Sequence, residues 1–429
     1  MLKHFELERR GSSLRQEVVA GFTTFLTMAY IIFVNPQILG GAGMDAGAVL
    51  VATCLAAAFG SAVMGLYANF PVALAPGMGL NAYFAAVVVG TMGLPWQSAL
   101  GAVFCSGALM LLLSVLPVRE WVVNAIPRSQ KYAIAAGIGF FLFVIGLRGA
   151  GIVAGGDATL VTLGNLTEWP ALLAVAGFVA IVAMEHLEQP GSVLLCIVVV
   201  AGIGWFSGLS PAPESLVAAP PSLAPTAFEL DIAAALEAGL LTIVFAFLMV
   251  DLFDTSGTLV AVLNEAELTD GAGRVPGLRR ALVADSSATI VGSLLGTSTT
   301  TSYIESAAGV RAGGRTGITA LVAAGLFLVS IGFAPLATAV PAFATAPAIM
   351  FVGCVMARAM RRVEWEDLTE SVPAIVTALA MPFTYSIATG IGLGFIAHVL
   401  IKVAGGRRRE LNAAVIVVAA AFALRFAVT

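Results

Sequence analysis

Between residues 14 and 402 the chain is built from apolar runs of about 20 residues, the length that carries a helix across a bilayer. Charged side chains fall mostly in the short stretches between them. Hydrophobic residues make up 59% of the chain and charged residues 11%, against roughly 25% charged in a soluble domain. A water-soluble core has no room for that much apolar surface, so the solvent around this chain is lipid. An all-α polytopic membrane protein is therefore expected. The opening MLKHFELERRGSSLRQE reads as a charged, mildly amphipathic lead-in that stays on the protein, with no cleavable signal peptide. The formal charge of −4 says little about partners. Nothing basic enough to hold a nucleic acid is present, and no nucleic-acid partner is expected. Cys54, Cys105, Cys196 and Cys354 lie scattered in apolar runs without CxxC spacing and read as small core residues. With only three histidines, neither a metal site nor a cofactor is expected.

Six clean spans are expected in the first half, near 14–35, 46–67, 97–116, 131–149, 168–187 and 190–208. Six more are expected near 232–263, 279–295, 315–334, 343–361, 368–382 and 384–402. Two further segments are apolar but broken. One is NFPVALAPGMGLNAYFAAVVVG, residues 69–90; the other is GSLLGTSTTTSYIESAAG, residues 292–309, where Thr297 to Ser302 all carry hydroxyls and Glu305 follows. Counting these as spans 3 and 10 gives fourteen, seven in each half. An odd number per half requires the second half to be inverted relative to the first. The Pro- and Ala-rich stretch 209–231 lacks Lys and Arg and reads as an external linker. Lys3, Arg9, Arg10, Arg15, Arg119, Arg128, Lys131, Arg274, Arg279, Arg280, Arg311, Arg315, Arg358, Arg361 and Arg362 fall on one side. The positive-inside rule makes that side, and the N-terminus, cytoplasmic. The final apolar segment 412–428 follows Arg407, Arg408 and Arg409 and is left either in the interface or against the bundle.

Inverted repeats with a broken segment at matching places point to the binding site of a secondary transporter. Backbone that leaves the helix inside a membrane is tolerated only where it is buried in protein or lines a wet cavity. A Thr/Ser run favours short extended backbone, and its hydroxyls can satisfy stray amides. PVALAP, fenced by Pro71 and Pro76, also reads as extended. Two short strands, one from each half, are expected to pair, each feeding a half-helix whose amino end points to the centre. Carboxylates inside a membrane are costly and mark function. Glu305 lies just inside the second half-helix. Asp251 and Asp254 share one helical face of VDLFDTSGTL. Asn81 in GMGLNAYF is the first-half polar counterpart, with a structural bridge between the half-helices and a ligand contact both open to it. Asp285 reads as a cytoplasmic-side cap or an inter-domain contact, and Glu185, His186 and Glu188 as a solvated turn.

The stretches GFTTFLTMAYIIFVNP, APGMGLNAYF, VDLFDTSGTL and GTSTTTSYIESAAG resemble the signatures of the AzgA-like adenine/guanine/hypoxanthine permeases. These are a branch of the nucleobase–cation symporters with the uracil-permease fold. The resemblance runs from about residue 3 to 428, and GTSTTTSY departs mildly from the commoner version containing Pro or Val. It implies fourteen spans as two inverted seven-span repeats, and a core domain from residues 14–116 and 232–338 (spans 1–4 and 8–11). A gate domain would come from 117–208 and 339–429 (spans 5–7 and 12–14, with the C-terminal segment). A purine would sit between the domains beside the broken segments, protons would drive uptake, and a homodimer would form through the gate domain.

Asn81, Asp251 and Glu305 match positions important for purine transport in that family, and Asp254 a supporting one. Chemistry agrees, because carboxylates accept strongly from the N–H groups of a purine. Phe84, Phe253 or Tyr303 could stack on the ring, and Ser302 lies beside Tyr303 in the hydroxyl run. Asp251 and Glu305 are the expected proton carriers, with the division of labour between them open. A same-fold carrier of uracil, xanthine or an anion is the first alternative. A membrane-embedded enzyme reading DLFD as a magnesium motif or DTSG as a serine turn is the distant one.

Overall fold

The computed structural model describes residues 2–115, 126–156, 161–189, 191–269 and 275–428. Arg119 and Arg274, two of the residues used for orientation, lie outside these. Among the described residues, nine helices are long and apolar enough to cross a bilayer, and four more apolar helices are shorter. The helices form because a chain in hydrocarbon has to satisfy its own backbone polar groups, and a helix does so within one segment. The chain separates into two compact units, residues 1–115 with 146–348, and residues 116–145 with 349–429.

The first unit opens with the helix Leu14–Met28, started by a capping box between Ser13 and Gln16. A break at Ala29 and Tyr30 is followed by a second helix, Ile31–Gly40. Asp45 caps the next helix, Ala46–Val63. The expected span 232–263 is divided: a short turn Ile232–Ala235 precedes the long helix Ala238–Glu265. The helices Trp96–Val115 and Leu278–Leu295 pack against each other and on Ala238–Glu265. Small residues set these distances, as is usual where helices meet in lipid. A side chain at Gly317, at the start of the helix Gly317–Ser330, would lie 2.0 Å from the Gly65 carbonyl, and one at Gly309 would lie 2.0 Å from the Thr24 hydroxyl.

Glu17 is fully buried. Its Oε1 accepts from the amides of Arg315 (2.9 Å) and Thr316 (3.1 Å), and its Oε2 accepts from the Thr319 hydroxyl at 2.6 Å. It therefore satisfies the open amino end of the helix Gly317–Ser330, where a negative charge is favoured. Beside it, Asn69 holds a left-handed backbone, φ 55°, and takes the Gly317 amide at 2.8 Å. The stretch 209–231, read as a linker, is anchored: the Phe228 amide donates to Leu294, and the buried Thr226 hydroxyl donates to Leu295.

Two strands beyond the expected pair occur, β2 (Val153–Ala154) and β3 (Thr162–Leu163), an antiparallel pair in the connection before the helix Trp169–His186. Glu185, read as solvated, is half-buried and accepts from Ser192; His186 and Glu188 are exposed.

In the second unit the helices Leu368–Phe383 and Ile387–Ala404 form a close hairpin, where a Cβ on Gly394 would lie 1.6 Å from the Thr377 hydroxyl. The C-terminal segment is the helix Ala413–Val428, seated on Ile387–Ala404 with Phe422 buried against Gly392. This decides between the two placements left open for it. Asp367 caps Leu368–Phe383; hydrogen bonds from Thr369 and Arg407 hold its carboxyl down at about 2. Lys402 pairs with Glu370 at 2.8 Å and Glu410 at 2.6 Å.

Glu17→Ala is expected to destabilise the protein by on the order of 3 kcal/mol, because two buried donors and one part-buried donor lose a charged acceptor at once. Thermal unfolding in detergent checks this; a midpoint equal to that of the wild type would remove Glu17 from the frame.

Candidate functional site

The two broken segments meet. β1 (Leu74–Pro76) and β4 (Thr300–Ser302) pair antiparallel, with Leu74 opposite Ser302 and Pro76 opposite Thr300. The Gly77 amide donates to Thr299 at 2.8 Å, and the Tyr303 amide to Ala73 at 3.0 Å, which extends the pairing at both ends. The outer edges find partners among hydroxyls. Ser61 accepts from the Leu74 amide, Ser306 accepts from the Ala73 amide, and Thr289 donates to the Thr300 carbonyl. Pro76 has no amide to satisfy, and its carbonyl takes the Tyr303 hydroxyl at 2.6 Å. After β1 comes the helix Met78–Ala82, which continues as wider π-helical turns to Thr91; after β4 comes Ser306–Arg311. Gly296 makes the left-handed turn, φ 95°, that ends Leu278–Leu295 and releases the second segment.

The acidic residues fall into two environments around this pair. Asp251 and Asp285 are fully buried. The Thr255 hydroxyl lies 3.2 Å from Asp251 Oδ1 and 3.0 Å from Asp285 Oδ1, and Ser302 of β4 donates to the same Asp285 oxygen at 3.1 Å. Asp285 is thus neither a cytoplasmic cap nor an inter-domain contact. Its helix crosses beneath β4, and residue 285 falls on the face turned towards it. Asp254 and Glu305 are half-buried, and Asp254 lies within electrostatic reach of Asp285 and Glu305. Tyr30 donates to Glu305 Oε1 at 2.5 Å; among the described residues Glu305 Oε2 has no hydrogen-bond partner.

At the first half-helix, Asn81 donates to Asn35 Oδ1 at 2.6 Å. Asn35 in turn donates to Thr53 at 2.7 Å and to Thr297, at the start of the hydroxyl run, at 2.9 Å. Asn81 therefore ties the first half-helix to the second broken segment through Asn35. Its Oδ1 is buried and has no partner among the described residues.

Of the residues singled out from sequence, Asp251, Asp254, Glu305 and Ser302 join one hydrogen-bonded or electrostatically connected set. Asn81 reaches it through the helix Ile31–Gly40, whose flanking Tyr30 holds Glu305. Tyr303 spends its hydroxyl on Pro76, and its ring centroid lies 6.5 Å from that of Tyr30. Phe84 is fully buried and stacks on no ring among the described residues. Phe253 is also buried. Sequence reasoning missed Tyr30, Asn35 and Thr255 as partners. The first two lie in the quoted stretch GFTTFLTMAYIIFVNP, and Thr255 stands four residues after Asp251, one helical turn on.

The arrangement offers hydrogen-bond acceptors on fixed backbone in an apolar surround, which suits a flat ligand rich in N–H groups. The comparisons with known proteins agree with a carrier. The chain is 49% identical over 421 residues to the adenine permease AdeP of Escherichia coli (strain K12), covering 98% of this chain and 94% of that protein. It is 43% identical over 432 residues to the guanine/hypoxanthine permease PbuO of Bacillus subtilis (strain 168), covering 97% and 98%. Among solved structures, the transmembrane domain of a cyanobacterium bicarbonate transporter, BicA, superposes with a TM-score of 0.67 at 17% identity. It covers 89% of this chain and 97% of that one, which establishes a shared fold. Residues 15–427 match the Permease family profile (Xan_ur_permease), and the chain is a multi-pass membrane protein belonging to that family of transporters.

Proposed function

We propose that the chain takes up purine nucleobases by proton-coupled symport. The observation that carries this reading is the half-buried Glu305, held on one oxygen by Tyr30 and open on the other, beside the paired strands. A carboxylate so placed accepts from purine ring N–H groups and discriminates against analogues that lack them. The near-full-length identity to adenine and guanine/hypoxanthine permeases supports purines over uracil or xanthine. Asn81 and Asp254 complete the ligand-facing set, and Phe84, Phe253 and Tyr303 shape its apolar walls.

In this reading the fourteen spans form two inverted seven-span repeats about the β1–β4 pair. A core domain (14–116 and 232–338) and a gate domain (117–208 and 339–429), joined by 209–231, alternate access to the site. The N-terminus is cytoplasmic. A homodimer through the gate domain rests on the family resemblance alone. Purified protein in liposomes tests the substrate: labelled adenine or hypoxanthine accumulates with an imposed proton gradient, and unlabelled uracil does not compete. Uracil competition equal to that of purine overturns the assignment.

Glu305→Gln keeps the shape of the side chain and loses its charge. Accumulation of purine is expected to fall about ten- to a hundredfold, since a hydrogen bond to a charged acceptor contributes about 1.5–3 kcal/mol. Accumulation at the wild-type level, with the variant present normally in the membrane, would free Glu305 of either role.

Arg408 lies in an exposed turn between the last two helices. A cysteine placed there should resist an impermeant maleimide in intact cells, as orientation by Lys and Arg requires. Rapid labelling from outside would reverse the topology.

A further inference from the structure

Asp285, Asp251 and Thr255 present a proton-counting problem. The Thr255 side chain has one hydroxyl proton, yet Oγ1 lies 3.2 Å from Asp251 Oδ1 and 3.0 Å from Asp285 Oδ1, both within hydrogen-bonding range. Two ionised carboxylates offer acceptors only, so one hydroxyl proton cannot make two linear hydrogen bonds to them. Both contacts are satisfied if one carboxyl carries a proton and donates it to Thr255 Oγ1, while Thr255 donates to the other. Ser302 also donates to Asp285 Oδ1, at 3.1 Å, so the pair is tied to β4. All four residues are buried, Asp251, Thr255 and Asp285 completely.

We infer that Asp251 and Asp285, bridged by Thr255, share one proton and form the site that loads and unloads the coupled proton, while Glu305 serves the substrate as an ionised acceptor. The inference rests on the proton-coupled uptake proposed above and assigns its proton to a pair that includes Asp285. Loading adds one proton to the pair and changes its charge from −2 to −1; unloading restores −2. Coupling to substrate runs through β4. Ser302 holds Asp285, and Glu305 stands three residues further along the same segment.

The neighbouring titratable groups fit this division. Asp254 and Glu305 are half-buried and lie on the ligand-facing side, and Tyr83 of the first half-helix packs its ring on Phe247, one turn before Asp251. Cys54 and Cys105 sit on the helices packed against Leu278–Leu295. The basic residues of these elements are at the helix ends. Arg279 and Arg280 are exposed, and Arg311 pairs with Glu265 at 3.0 Å.

The test uses purified full-length protein in liposomes, with three readouts: exchange of labelled adenine against unlabelled adenine without any gradient, accumulation driven by a proton gradient, and internal pH reported by a trapped dye. Asp285→Asn is expected to lower the ratio of gradient-driven accumulation to exchange at least tenfold and to abolish the substrate-dependent pH change. Asp285→Glu should restore both, and Thr255→Ser should behave like the wild type. An Asp285→Asn protein that still couples accumulation to the proton gradient overturns the inference, as does accumulation driven by sodium instead.

Infrared difference spectra give a readout independent of transport. The wild type without substrate should show a protonated-carboxyl band that shifts in Thr255→Val and is lost in Asp285→Asn. Absence of the band in a correctly folded wild type overturns the shared proton even if purine exchange is normal. A wild type that shows the band but exchanges no purine overturns the proposed substrate and leaves the proton pair standing.

Discussion

Backbone that leaves the helix inside an apolar fold must find hydrogen-bond partners, and the pairing of β1 with β4 is how this chain meets that demand. Three residues of each segment pair with each other, and the remaining edge groups go to Ser61, Thr289 and Ser306. Each unsatisfied amide or carbonyl in such surroundings would cost several kcal/mol, and the hydroxyls that prevent this come from outside the run Thr297 to Ser302; within the run, Thr297 accepts from Asn35 and Ser302 donates to Asp285. Every acidic and amide side chain of the candidate site is then placed relative to those two strands.

Two consequences follow for the chemistry. Around the pair, two acids are fully buried and two are half-buried. Asp251 and Asp285 lie beneath β4 and are bridged by Thr255, whereas Asp254 and Glu305 keep accessible surface. Carboxylates in two kinds of surroundings therefore stand within electrostatic reach of one another. The helix Ile31–Gly40 also serves both broken segments. Tyr30 at its start holds Glu305, and Asn35 holds Asn81 and Thr297. A shift of this helix would move both halves of the site together.

The frame around the strands is kept tight by small residues and by one buried charge. Gly65 and Gly317 let two helices touch backbone to backbone, a contact that a methyl group would block. Glu17 closes the amino end of Gly317–Ser330 across about 300 residues of sequence. Its bonds explain why an acidic residue of a charged lead-in is fully buried: its charge is met by amides and a hydroxyl of a helix end, so no basic partner is needed.

Much of this was legible in the sequence, for physical reasons that act locally. Apolar runs of bilayer length dictate membrane helices, and proline and hydroxyl residues in 69–90 and 292–309 dictate the breaks and the extended backbone. The i, i+3 spacing puts Asp251 and Asp254 on one face. Partners across the chain were not legible, because nothing local in Asp285 or Glu17 tells whether its carboxyl meets water or a distant amide. Asp285 reads as a cytoplasmic-side cap or an inter-domain contact and Glu17 as one charge of the lead-in, and both are buried. The division of 232–263 into two helices, the small hairpin of β2 and β3, and the seat of 413–428 on its neighbour also depend on contacts made after the helices assemble. Local spacing thus determined the elements and the candidate acids. Only the tertiary structure decided which acids share a hydroxyl, which face accessible space, and that Tyr30 and Asn35 hold them there, since each of those facts joins residues that are neighbours only once the chain is folded.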